Sequence, residues 1–182
     1  MTGVAELPDG KVVCGSEYGT LILWDGNLVK AHLVLDAKKK SPLHNGFIEV
    51  VMFDGENFIT AGGDGFIKWW RFADVDNAEA DETLEVAIAP VREVIVKDPK
   101  TGEPAYIVSM IKNKDSWLIS DGKGKIWKMP FDTMEVKEIT SFHSKRVKDL
   151  AIPHSLTSSI TLGEDGLVKL WDFVKDQQYY TR

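Results

Sequence analysis

Five side chains in this sequence are of the kinds that bind metals, relay protons or attack carbonyl carbons: His32, His44, His143, His154 and Cys14. Metal coordination asks for ligands at short, regular separations, and these five are scattered without them. Gly122-Lys123-Gly124-Lys125 has the glycines and lysines of a phosphate cradle. It lacks the four-residue spacer and the trailing Ser or Thr, so it reads as a hairpin turn carrying solvated lysines. Asp64 and Asp165 could serve as catalytic carboxylates, yet each lies six residues before a tryptophan, Trp70 and Trp171. An acid repeated at a fixed offset is a structural post rather than a catalyst.

The offset belongs to a larger set. Thr60 and Thr161 each lie ten residues before the same tryptophans, and His44 and His143 lie upstream. An indole N–H only donates, a hydroxyl donates and accepts, imidazole does both and a carboxylate accepts. In that order they form a buried chain of hydrogen bonds, each worth about 1 kcal/mol net. Two further copies depart from the set. The first has Trp24, with Cys14 and Tyr18 where the hydroxyl and the acid belong. The third keeps Asp121 and Trp127, has Trp117 at the hydroxyl position and has no His. Complete networks are therefore expected in the second and fourth copies, and packing alone in the first and third.

Short strands must position these groups. A Gly five residues before a Trp recurs four times, at Gly19/Trp24, Gly65/Trp70, Gly122/Trp127 and Gly166/Trp171, with Trp-to-Trp spacings of 46, 57 and 44 residues. A four-stranded propeller blade repeats at roughly 40–45 residues. The alternating runs give strands at Thr2–Leu7, Lys11–Gly15, Thr20–Trp24 and Leu28–Leu35. They continue at Phe47–Phe53, Phe58–Gly62, Phe66–Phe72 and Val91–Val96. The third copy gives Ala105–Ile111, Trp117–Ser120, Lys125–Met129 and Val136–Phe142. The fourth gives Val147–Ile152, Ser159–Leu162, Leu167–Phe173 and Gln177–Thr181. No segment sustains a 3.6-residue period, so almost no helix is expected.

The long second spacing is explained by an acidic insertion over 73–90. It holds Asp74, Asp76, Glu79, Asp81, Glu82 and Glu85 and no basic residue, the pattern of a solvated loop. Lys38, Lys39 and Lys40 fall in the connector between the first two copies. These two charged runs, with the Asp98–Pro104 turn, are where the copies differ, and they are the candidate partner-binding residues.

Composition narrows the class. A net charge of −6 over 182 residues disfavours nucleic acid and acidic membranes as partners. One Cys excludes an internal disulfide and suits a reducing compartment. The longest run free of Lys, Arg, Asp and Glu, Leu150–Gly163, is broken by Pro153 and is too short for a membrane helix. The N-terminus has no basic region followed by an apolar core, so it is no secretory signal. A soluble, cytoplasmic protein is expected, without cofactor, metal or enzymatic activity.

The repeated set resembles the WD40 repeat. The resemblance implies an all-β fold, a partial β-propeller over 1–182 with four consecutive four-stranded blades at about 2–35, 46–96, 105–142 and 146–182. Because WD40 propellers generally close with more blades, the rest of the ring is expected in chain outside this one. Three passages go further: Val12–Lys30; His44-Asn45-Gly46-Phe47-Ile48-Glu49 followed by Phe58–Phe72 and its acidic tail; and Trp117–Lys128, with its short turn and absent His. They resemble successive blades of the cilia- and flagella-associated protein 44 family, from which Trp69-Trp70-Arg71 departs. The resemblance implies a scaffold of the motile axoneme, a cytoskeletal structure. There it is part of the tether holding an inner-arm dynein motor domain to the doublet microtubule, with cilia- and flagella-associated protein 43 as partner. A generic intracellular WD40 adaptor of another multiprotein complex is the alternative.

Overall fold

The computed structural model describes residues 3–80, 82–99, 101–140, 143, 146–152, 158–172 and 177–181. They form four separate up-and-down sheets, each following chain order. The first contains β1 (Val4–Glu6), β2 (Val12–Gly15), β3 (Leu21–Asp25) and β4 (Leu28–Val34). The second contains β5 (Ile48–Phe53), β6 (Asn57–Gly62), β7 (Phe66–Arg71) and, after an excursion, β9 (Arg92–Ile95). The third runs β10 (Ile107–Lys112), β11 (Ser116–Asp121), β12 (Ile126–Pro130), β13 (Lys137–Thr140). The fourth runs β14 (Val147–Ala151), β15 (Ser158–Gly163), β16 (Val168–Asp172), β17 (Gln177–Thr181). The chain is all-β with almost no helix, and its sheets have the form of propeller blades. The described residues do not close a ring.

The second hairpin of every sheet turns on a glycine in the left-handed region: Gly19, Gly65, Gly124 and Gly166, each with φ of 78°. A side chain is strained there. In the third sheet this glycine is Gly124, not the Gly122 that the spacing suggests, because that turn sits differently relative to Trp127.

Sheets one to three stack through their first strands. β1 and β2 lie against β5, and β5 and β6 against β10. Gly3 N–H donates to Ile48 O (3.0 Å), Leu43 and His44 N–H both donate to Gly19 O (2.8 and 3.0 Å), and Ala105 N–H, entering sheet three, donates to Val96 O after β9 (2.9 Å). Two apolar clusters fill the gaps. One holds Leu21, Leu23, Leu33, Leu43, Phe58 and Trp70. The other holds Ile59, Ile67, Trp69, Ile107, Trp117 and Trp127. Successive strand residues face opposite ways, so Trp69 and Trp70 serve different clusters. That is the physical sense of the Trp69-Trp70 pair.

The acidic insertion corrects the expectation of a solvated loop. Phe72–Asp76 forms a helical turn, α1, and Glu85–Ala87 forms β8. This strand pairs in parallel with β4, His32↔Glu85 through Val34↔Ala87, so sheet one has five strands rather than four. The charges had masked an apolar pattern: Val75, Ala78 and Ile88 are buried in the first cluster. Lys11 Nζ also anchors α1, bonding Asp76 Oδ1 (3.0 Å) and Asp76 O (2.8 Å).

Candidate functional site

In sheet two, His44 lies in the segment leading to β5, Asp64 in the β6–β7 turn, Thr60 on β6 and Trp70 on β7. The structure brings all four together. Trp70 Nε1–H donates to Thr60 Oγ1 (2.9 Å), and Thr60 Oγ1 lies 2.7 Å from His44 Nε2. His44 Nδ1 lies 3.0 and 3.2 Å from the two Asp64 oxygens. One proton arrangement satisfies every partner: the hydroxyl donates to Nε2, and Nδ1–H donates to the carboxylate. Asp64 also accepts from the backbone N–H of Asn45 (2.9 Å) and Phe66 (3.1 Å). Burial pushes the Asp64 carboxyl up. His44 and those two amides outweigh it and hold the carboxyl below the ordinary carboxylate range.

Sheet four repeats the geometry. Trp171 Nε1–H donates to Thr161 Oγ1 (2.8 Å), Thr161 Oγ1 is 2.7 Å from His143 Nε2, and His143 Nδ1 is 2.9 Å from Asp165 Oδ1. The His44 and His143 side chains are 0% and 2% exposed, so neither points to solvent.

The other two sheets correct the expectation of packing alone. In sheet one, Trp24 Nε1–H donates to the buried Cys14 Sγ (3.2 Å), the thiol standing where Thr60 stands in sheet two. Tyr18, at the acid's place, is exposed. In sheet three, Trp127 Nε1–H reaches the Asp121 carboxylate directly at 3.0 Å, with no hydroxyl between. The register shows why. Trp70 lies opposite Phe58 and Met129 opposite Trp117, while Trp127 lies two residues nearer the turn, opposite Ile119. Asp121 Oδ1 meanwhile caps the turn, accepting from Lys123 and Lys125 N–H (both 2.9 Å).

Sequence reasoning missed two lysines. Lys68 and Lys169 are buried, and each lies opposite its network threonine in register. The signal was available, since both precede their tryptophans by two residues. Lys68 Nζ lies 3.7 Å from Glu93 and over the Phe66 ring. Burial pushes the Lys169 ammonium down, partly opposed by Asp165 and Glu138.

The candidate partner-binding residues divide. Lys38 and Lys39 are exposed, with their backbone N–H groups on Asp36 Oδ1. Lys40 instead pairs with Glu85 of β8 at 3.1 Å. Asp74, Glu79 and Glu82 are exposed, Asp76 is engaged by Lys11, and Asp81 lies outside the described residues. The structure therefore does not gather them into one patch. The Asp98–Pro104 turn is drawn onto sheet three, where Lys125 Nζ bridges Asp98 (2.6 Å) and Glu138 (3.0 Å). The hydrogen bond that Lys125 donates to Asp98, with that to Glu138, outweighs burial and raises the Lys125 ammonium.

Among the described residues, no group of three or more His, Cys, Asp or Glu is placed to hold a metal ion. No described helix is long and apolar enough to cross a membrane.

Two sheets that repeat one buried indole–hydroxyl–imidazole–carboxylate relay, beside two that vary it, define an all-β repeat protein whose first three copies are joined through their first strands. Within that class, the chain is similar over nearly its whole length to curated proteins named cilia- and flagella-associated protein 44. The Mus musculus protein is 36% identical over 180 residues, covering 94% of this chain and 9% of the relative. That of Trypanosoma brucei brucei is 28% identical over 99% of this chain and 12% of the relative. That of Chlamydomonas reinhardtii is 28% identical over 93% of this chain and 10% of the relative. The chain thus spans about a tenth of the length of these relatives. No protein-family model matches it.

Proposed function

We propose that this chain is a stretch of WD40-type β-propeller within a non-enzymatic scaffold of the motile cilium or flagellum. The observation that carries the reading is the similarity, over 93–99% of the chain, to three proteins whose shared name associates them with cilia and flagella. The repeated networks support the WD40 assignment: two sheets hold the same four residue types at matching distances. Their polar groups are turned on one another and hold loops in place, which suits a rigid support better than a reaction centre.

The finer role is the one the resemblance implies. The scaffold is part of the tether holding an inner-arm dynein motor domain to the doublet microtubule, with cilia- and flagella-associated protein 43, the dynein and the doublet as partners. A chain of net charge −6 does not dock broadly on an acidic tubulin surface, so contact falls to local faces and edges. Tagging the protein at its own locus in a flagellated cell tests the reading. The expected outcome is a signal along the axoneme that survives detergent extraction, with the dynein head and cilia- and flagella-associated protein 43 among cross-linked neighbours. A diffuse signal lost to detergent overturns the axonemal role and leaves the generic adaptor. A detergent-resistant axonemal signal without those neighbours overturns the tether.

A further inference from the structure

We infer that the cleft between sheets two and three is a docking site for an extended acidic peptide of a partner protein, a site that goes beyond the scaffold role. The cleft has a volume of about 430 Å³, within the roughly 300–1,000 Å³ of ligand sites. Its walls include the β5–β6 turn at Asp54–Asn57 and the stretch after β12 at Phe131–Met134. It therefore opens at the end of the sheets opposite the His–Asp networks, which sit in the segments before β5 and between β6 and β7.

Two departures from the repeat meet there. Trp69 is the additional tryptophan of Trp69-Trp70, and Trp117, at the hydroxyl's sequence offset from Trp127, stands in the strand register where Phe58 stands in sheet two. Both line the cleft, and at 6% and 4% exposed they are held firmly. Neither indole N–H has a hydrogen-bond partner among the described residues. Beside them, Lys112 Nζ lies 5.8 Å from the ring centroids of both Trp117 and Phe131. Neither Lys112 nor Arg92, also in the wall, is within ion-pair distance of a carboxylate among the described residues.

The acids in the wall do not cancel this. Asp54 Oδ1 accepts from the backbone N–H of Glu56 (3.0 Å) and Asn57 (2.7 Å) in its own turn. Glu56 is exposed. The groups left over are thus chiefly donors and cations set against aromatic faces, and they ask for a carboxylate next to an apolar or aromatic group.

The backbone says that this ligand is a peptide. β9 is the last strand of sheet two, and its first residue, Arg92, lines the cleft. Sheet one has the corresponding edge covered by β8, whereas no described strand covers β9. An extended chain can add to such an edge by main-chain hydrogen bonds while alternate side chains fill the pocket beside it.

The test is fluorescence polarisation with the full-length protein and a fluorescein-labelled Glu-Glu-Phe-Glu-Glu peptide. Saturable binding below about 1 mM is expected. The exposed double reversal Arg92→Glu/Lys112→Glu should weaken it by roughly tenfold or more. The reversal Lys30→Glu/Lys148→Glu, on the exposed faces of β4 and β14, should leave it unchanged. Gln-Gln-Phe-Gln-Gln and Glu-Glu-Gly-Glu-Glu should each bind more weakly than the parent peptide. Absence of saturation, indifference to the Arg92/Lys112 reversal, or equal binding of the Gln peptide overturns the site. Displacement by inorganic phosphate or acetate at the peptide's own concentration reduces it to an anion site and also overturns the proposal. These readouts do not depend on where the protein resides in the cell, so failure here is separable from failure of the axonemal reading.

Discussion

At the scale of single residues, the threonine hydroxyl is the hinge of each complete network. Thr60 Oγ1 accepts from Trp70 and lies against His44 Nε2, so Thr60→Val strands a buried donor and a buried acceptor together. Leaving a buried polar group unsatisfied costs about 1–3 kcal/mol, and the loss should appear as a lower urea midpoint with an unchanged slope. Adding Trp70→Phe should cost less than the sum of the two single changes, because it removes the indole N–H that Thr60→Val leaves without an acceptor. Asp64 supplies the pH dependence. Its carboxyl is held below its unfolded value, so its contribution is fully present above about pH 4 and is lost as pH falls through the folded value. Asp64→Asn should remove that part of the acid sensitivity; urea midpoints measured between neutral pH and pH 3 on both proteins check it. The polar set of sheets two and four was legible at this scale, because fixed offsets survive in sequence. The thiol acceptor in sheet one and the direct Trp127–Asp121 bond were not. The first needs a soft acceptor to be counted, and the second depends on a strand register that offsets do not encode.

At the scale of elements, the repeated glycine turn does more than reverse the chain. A Cβ on Gly19 would fall onto the His44 carbonyl oxygen, and the residue sits at φ 78°. The turn of sheet one is therefore pressed against the segment that delivers His44 to sheet two. Gly19→Ala combines left-handed strain with a backbone clash, and a loss of about 3 kcal/mol or more in chemical unfolding is expected. Gly10→Ala, with φ 89° but nothing nearby, should cost only the conformational part, about 1 kcal/mol. The strands were legible as elements because alternation and turn residues agree. α1 and β8 were not, since three residues of parallel pairing, Glu85–Ala87, leave no alternating signature and the surrounding acids suggested solvent. Val75 is the check: it is fully buried beneath α1. Val75→Asp should release the strap that α1 and β8 form across sheet one, and hydrogen exchange should then quicken at His32, whose N–H bonds Leu84 O at 2.6 Å.

At the scale of the whole molecule, the neighbouring tryptophans of β7 connect both cores. Trp70 belongs to the cluster between sheets one and two, and Trp69 to the cluster between sheets two and three. Trp70→Ala and Trp69→Ala should each cost about 3–5 kcal/mol, yet exchange protection should fall chiefly in sheet one for the first and sheet three for the second. The order and number of the sheets were legible from four recurring Trp positions. How the sheets join was not, because the joints are made by backbone carbonyls and glycines whose neighbours are set by three-dimensional approach. The strap gives those joints a further meaning. A repeat array is ordinarily divisible, each unit able to be cut out, duplicated or exchanged at its seam. Here β8 is encoded in the second unit and spent in the first, so the seam in the gene and the seam in the fold do not coincide. Exchanging either unit alone would leave an open edge on one and a strand without a sheet on the other, so a working swap has to carry the two units together.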